Sequence, residues 1–173
     1  IIESYSLSSD KIYAGETFDL NFDIRNTSSS ENIQNIQIRV KDSGTTATIV
    51  PANGGSNSLY VSKISRGESS SQKVSLQTAP DAEAKAYTLS LEFTYEAAST
   101  NAAHSTTETI SIPILQKIRL KCDDPVIYDD MGWVGSGCSM YVRMYNMGRS
   151  SVYNCMVDVE GQGLKMEESY FGG

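Results

Sequence analysis

From Phe18 to Arg25 the chain alternates strictly, with Phe18, Leu20, Phe22 and Ile24 apolar and Asp19, Asn21, Asp23 and Arg25 polar. A period of two puts every second side chain on the same face, so this segment is predicted as a strand with one wet face. The pattern is preceded by an opening strand around Tyr5 and Leu7. It returns at Ile36, Ile38 and Val40, at Val74 and Leu76, at Tyr87, Leu89, Leu91, Phe93 and Tyr95, and at Ile110, Ile112 and Ile114. Turn-forming clusters separate these runs, among them Asn26 to Ser30, Asn53 to Ser56 and Ser65 to Glu68. The one helical signal, Ala79 to Ala86 with Pro80 at its start, is too short to carry a helical core. About seven short amphipathic strands in roughly 115 residues predict an antiparallel β-sandwich of immunoglobulin type, with a closed barrel as the alternative.

The chain also repeats itself. Gly15 to Asn26 laid over Gly135 to Asn146 superposes glycine, apolar face and terminal asparagine. With one residue fewer in the next turn, Ile33, Asn35, Ile36, Ile38 and Val40 then fall over Val152, Asn154, Cys155, Val157 and Val159. Composition shifts at the join: the twelve Thr lie at or before Thr109, whereas the six Met, three Cys and single Trp follow Leu115. We therefore expect two domains: residues 1–115 form a complete immunoglobulin-like β-sandwich, and residues 116–173 supply the first strands of a second, truncated copy. No Cys lies in residues 1–115, so that core stands without an antibody-type disulfide.

At these residues the sequence resembles the bacterial CARDB-type domains (cell adhesion related domain found in bacteria) and the S-layer-protein-like domains close to them. The resemblance is carried by the Gly-Glu-x-Phe-x-Leu-x-Phe-x-Ile-x-Asn strand at Gly15 to Asn26 and by the Asn-Ile-x-Ile-x-Val strand at Asn35 to Val40. The turn at Ile64 to Ser69 and the Tyr-x-Leu-x-Leu strand at Tyr87 to Leu91 complete it. It spans nearly all of residues 1–115 and the start of the second copy, where Ser136 replaces the Glu. It implies an immunoglobulin-like, extracellular, non-catalytic module of a multi-domain surface or secreted protein. Fold analogy names no ligand.

Charge narrows the partners. With 14 Lys plus Arg against 21 Asp plus Glu, net −7, and no basic cluster, the chain lacks the footprint that nucleic acid or anionic lipid requires. No run approaches the roughly 18 apolar residues of a membrane helix, and Ile1 to Ser4 does not begin a signal peptide. Direct membrane insertion is not expected of this segment, and any anchor or signal is expected to lie outside it.

Catalytic and cofactor chemistry find little to use. His104 is the single histidine, within the polar stretch Ala98 to Thr107, and is read as an exposed loop residue because no nucleophile-elbow or other catalytic spacing surrounds it. One His and three scattered Cys do not make a zinc knuckle, and no phosphate-binding glycine motif is present. We expect no cofactor and no enzymatic role. Asp123, Asp124, Asp129 and Asp130 cluster as calcium ligands do, but without EF-hand spacing, so a solvated acidic turn is the simpler reading. Trp133, on a loop longer than its counterpart in the first copy, is the one weak candidate for ligand binding, as a sugar or partner anchor. A plug over its own sandwich is preferred. The Ser/Thr-rich stretches at Ser28 to Ser30, Ser69 to Ser71 and Ala97 to Thr107 are read as solvated loops.

The sequence thus points to a cell-surface or secreted structural or adhesion module whose protein or polysaccharide ligand is unnamed. The alternatives are a carbohydrate-binding accessory module of a secreted hydrolase and an extracytoplasmic domain beside a membrane transporter. Cys122, Cys138 and Cys155 share core-facing parity and are expected as three buried thiols. The truncated copy would leave Ile118, Leu120, Met140, Val142, Met144, Val157 and Val159 without an opposing sheet. That face is expected to pack on the first domain or, preferably, in a homodimer through residues 116–173.

Overall fold

The computed structural model describes residues 1–128, 135, 137 and 139–157. The chain divides into two compact units, Ile1–Lys117 and Ile118–Gly173. In chain order the strands of the first unit are β1 (Ile2–Leu7), β2 (Ile12–Tyr13), β3 (Thr17–Arg25), β4 (Ile33–Asp42), β5 (Ile49–Pro51), β6 (Ser58–Ile64), β7 (Ser69–Thr78), β8 (Lys85–Ala97) and β9 (Ala103–Leu115). They form a four-stranded sheet ordered β1-β3-β7-β5 and a five-stranded sheet ordered β2-β9-β8-β4-β6. All pairings are antiparallel except β2 with β9, so the N-terminal segment pairs first in one sheet and then in the other. This is an immunoglobulin-like sandwich.

Alternation builds its interior. Phe18, Leu20, Phe22 and Ile24 of β3 are each no more than 4% exposed. They meet Ile36, Ile38 and Val40 of β4, Leu89, Leu91 and Phe93 of β8, and Ile110, Ile112 and Ile114 of β9 in one apolar cluster. Gly15 has φ +84 in the turn that enters β3, a backbone conformation that L side chains resist. Buried Thr78 locks that turn to β7, donating from Oγ1 to the Tyr13 carbonyl at 3.1 Å. Asn26, only 5% exposed, ends β3 by accepting the Ser28 amide at Oδ1 and donating from Nδ2 to the Glu31 carbonyl.

Several sequence expectations are corrected. Strands β2, β5 and β6 were not anticipated: the first two are two and three residues long, and β6 lies at a sheet edge where the alternating Leu59 and Val61 are only partly buried and Ile64 alone reaches the core. Ala79 to Ala86, where Pro80 could start a short turn, holds a single turn closed by the Ala82 amide on the Ala79 carbonyl before β8 begins. Ser69 to Ser71 belongs to β7, where register pairs it with the end of β3. His104 sits in β9, not in a loop, because unbroken pairing from Lys85–Ile114 to Glu96–Ala103 draws the polar stretch into a long hairpin. Its threonines suit a strand as well as a loop.

The second unit repeats the first pair of strands residue for residue. Its strands are β10 (Leu120–Cys122), β11 (Val126–Ile127), β12 (Met140–Tyr141) and β13 (Met144–Asn146). Ile2 faces Ile24 and Leu7 faces Leu20 in the first unit; Cys122 faces Met144 and Ile127 faces Met140 in the second, every number raised by 120. Backbone angles repeat as well. Gly15 and Gly135 have φ +84 and +93, and Asn35 and its counterpart Asn154 have φ 50 and 54. Asn146 again caps its turn, accepting the Gly148 amide at Oδ1 and donating from Nδ2 to the Ser150 carbonyl.

Two expectations for this unit fail. The strand expected from Val152 onward does not form among the described residues through Val157. Its counterpart β4 is held between β6 and β8, and no such pairing occurs for this segment among the described residues. Cys122 and Cys155 are free, but Cys122 is exposed, because the layer that covers Ile2 in the first unit has no described equivalent over it. Cys138 and Val159 lie outside the described residues.

Candidate functional site

Alternation along β3 and β7 sends Asp19, Asp23 and Arg25 outward opposite Ser75, Ser71 and Ser69. The resulting face is a ladder of carboxylate contacts. Ser71 donates to Asp23 Oδ1 at 2.5 Å and Ser4 donates to Asp23 Oδ2 at 2.7 Å. Ser75 donates to Asp19 at 2.5 Å while the Lys73 ammonium lies 2.8 Å from its other oxygen. Glu3 accepts from Ser69 and Arg25, each at 2.6 Å. These donors hold all three carboxyls below their ordinary pKa values: Ser71 then Ser4 for Asp23, Lys73 then Ser75 for Asp19, Ser69 then Arg25 for Glu3. A shallow groove of about 330 Å³ crosses this face between Tyr5 and Lys73.

A second concavity opens between the sheets at one end of the sandwich, with a volume of about 320 Å³. Ile24, Ile33, Ile36, Ile64 and Phe93 form its floor. Tyr95 and His104 line one wall, stacked with ring centroids 5.5 Å apart and planes inclined by 25°. They are register partners on β8 and β9. Arg25, Asn26, Ser28 and Glu31 add polar groups at the mouth. Glu31 is itself engaged, accepting from the Ser99 hydroxyl at 2.6 Å and the Ser99 amide at 3.0 Å, which lowers its pKa. An apolar floor with an aromatic wall can receive one aliphatic or aromatic side chain; its volume is at the lower end for a small-molecule pocket.

Trp133, Asp129 and Asp130 lie outside the described residues. Asp123 accepts the Tyr145 hydroxyl at 2.9 Å, and no group of three or more metal-ligating side chains occurs among the described residues. His104 contributes a stacking surface to the mouth. What sequence reasoning missed were the serine partners of Asp19 and Asp23 and the Tyr95–His104 pair. The wet-face parity of Asp19, Asp23, Ser71 and Ser75 was visible, but pairing across 48 and 56 residues depends on register.

Comparison adds no family. No protein-family model and no curated protein sequence matches the chain. Among solved structures it is similar to the sporulation control protein Spo0M of Bacillus subtilis, with 10% identity over 64% of this chain and 47% of that one and a TM-score of 0.36. It thus spans about half the length of Spo0M. It is also similar to the class 5 fimbriae chaperone CfaA, with 14% identity, coverage of 84% and 81%, and a TM-score of 0.27. A chaperone–tip adhesin complex of CFA/I fimbriae biogenesis gives 11% identity, coverage of 83% and 85%, and a TM-score of 0.27. None of these likenesses carries an argument about what this chain does.

Proposed function

We propose that this chain is a non-catalytic structural and adhesion module of an extracellular or cell-surface protein, built from successive immunoglobulin-like units. The observation that carries this reading is the recurrence of strand register at a spacing of 120 residues. A unit repeated with its pairing and turn geometry preserved is a means of extending a chain by copies of one fold, as modular spacers do. The motifs shared with CARDB-type and S-layer-like domains agree with it. Outer sheet faces and loop ends then supply the contact surface, including the Asp19–Asp23 ladder and the inter-sheet mouth beside Tyr95.

Surface location is tested by treating intact source cells with a membrane-impermeant lysine reagent. Lys73, Lys85 and Lys117 have side chains 55–59% exposed and will carry the label. Labelling only after lysis would overturn the reading.

A further inference from the structure

Of the nine asparagines in the chain, Asn53 alone is followed by glycine. It takes the first central position of the turn Ala52–Gly55, which carries the chain from β5 in one sheet to β6 in the other. The Gly55 amide closes that turn on the Ala52 carbonyl at 2.8 Å, with Asn53 at φ 54, ψ 31 and Gly54 at φ +70. Positive φ at both central residues is what Asn-Gly supplies at little steric cost. Ala52 anchors the turn in the core, while Asn53, Gly54 and Gly55 are exposed. The other asparagines differ in one of two ways. Asn26, Asn32, Asn35, Asn57, Asn101 and Asn146 have their side chains tied by hydrogen bonds, a tie that Asn53 lacks among the described residues. Asn21 and Asn154 are followed by Phe22 and Cys155, whose side chains crowd the next backbone nitrogen.

We propose that Asn53 is a site of spontaneous deamidation, with water as the only co-reactant. The Gly54 backbone nitrogen gives up its proton and bonds to Asn53 Cγ, the Cγ–Nδ2 bond breaks, and the amide nitrogen takes the proton and leaves as ammonia. The cyclic succinimide that results then takes up one water. Opening at Cγ gives aspartate; opening at the backbone carbonyl routes the chain through Cγ and gives isoaspartate. Glycine matters because no side chain shields its nitrogen. A Cβ added at Gly54 would meet no atom within 4 Å, so the ring and the lengthened backbone both have room. Bringing the nitrogen to Cγ requires ψ of Asn53 to turn away from 31, which opens the bond between the Gly55 amide and the Ala52 carbonyl. At so exposed a turn water takes that bond's place. The product adds one carboxylate to a chain of net charge −7. Water alone suffices, so the reaction is independent of where the protein resides.

The whole chain, held folded at neutral and at mildly alkaline pH, tests the proposal beside the variant Asn53→Gln and the free peptide 42–63. Trypsin releases that peptide from the chain by cutting after Lys41 and Lys63, and fragment masses separate Asn53 from Asn57. Asn53 will gain about 1 Da, as an amide does on becoming an acid. Its converted fraction will exceed that of every other asparagine by about tenfold or more. Conversion will be faster at the higher pH, because base removes the Gly54 amide proton, and the isoaspartyl share will accept a methyl group from protein isoaspartyl methyltransferase. Asn53→Gln will show neither the mass gain at position 53 nor the methylation. A folded chain left unconverted at Asn53 by the time the free peptide has converted would show that the turn protects this residue and would overturn the proposal, as would conversion spread evenly over the asparagines.

Discussion

Asn26 reaches from its Nδ2 to the carbonyl oxygen of Ile64 at 3.3 Å, joining the end of β3 to the turn that follows β6. The same side chain holds the Ser28 amide and the Glu31 carbonyl, and its backbone pairs with Glu68 and Gly67, so one buried residue organises two turns. Asn26→Ala strands these buried groups and is expected to destabilise the first unit by about 1 to 3 kcal/mol. Asn146→Ala, at the exposed equivalent, will leave that unit's denaturant midpoint unchanged. Equal shifts in the two variants would contradict the assignment.

Phe22 and Asp23 are neighbours with opposite fates. Phe22 is 2% exposed in the core, while Asp23 faces water between Ser4 and Ser71. Phe22→Ala is expected to cost about 3 to 5 kcal/mol and Asp23→Ala less than about 1 kcal/mol. Chemical denaturation at neutral pH separates them, and coincident midpoints would mean the inward face is misassigned.

The serine–carboxylate ladder makes a prediction about acid. Glu3, Asp19 and Asp23 have folded pKa values below the ordinary 4.5 and 3.8, so the folded state binds fewer protons than the unfolded one. Their contribution is complete above those ordinary values and is lost as pH falls through the folded values. Stability will therefore hold down to about pH 5 and decline below it. Asp23→Asn will flatten the decline; the unaltered slope in that variant would remove Asp23 from the account. Added salt will weaken the Lys73–Asp19 and Arg25–Glu3 portions first, because these are exposed ion pairs.

Cys122 and Cys155 are free. Denatured, unreduced protein is expected to titrate three thiols, matching the three cysteines of the chain. A count of one would reveal a disulfide and a different pairing of the second unit.

Local alternation was enough to identify the main strands and their faces: Phe18 to Ile24, Ile36 to Val40 and Leu89 to Phe93 are buried as their parity requires. The repeat was legible for a similar reason. Glycine at a left-handed turn and asparagine at a strand end are local demands, and both recur 120 residues later as Gly135 and Asn146. Register was not legible, since the sequence does not say which wet-face serine stands opposite which aspartate, and Asp23 meets Ser71 across 48 residues. Tertiary pairing also turned the polar segment at His104 into strand and left Val152 to Val157 without one. The physical reason is shared: a strand is stabilised by its neighbours, so a segment's own residues fix which face is apolar, while the presence of a partner decides whether the strand forms.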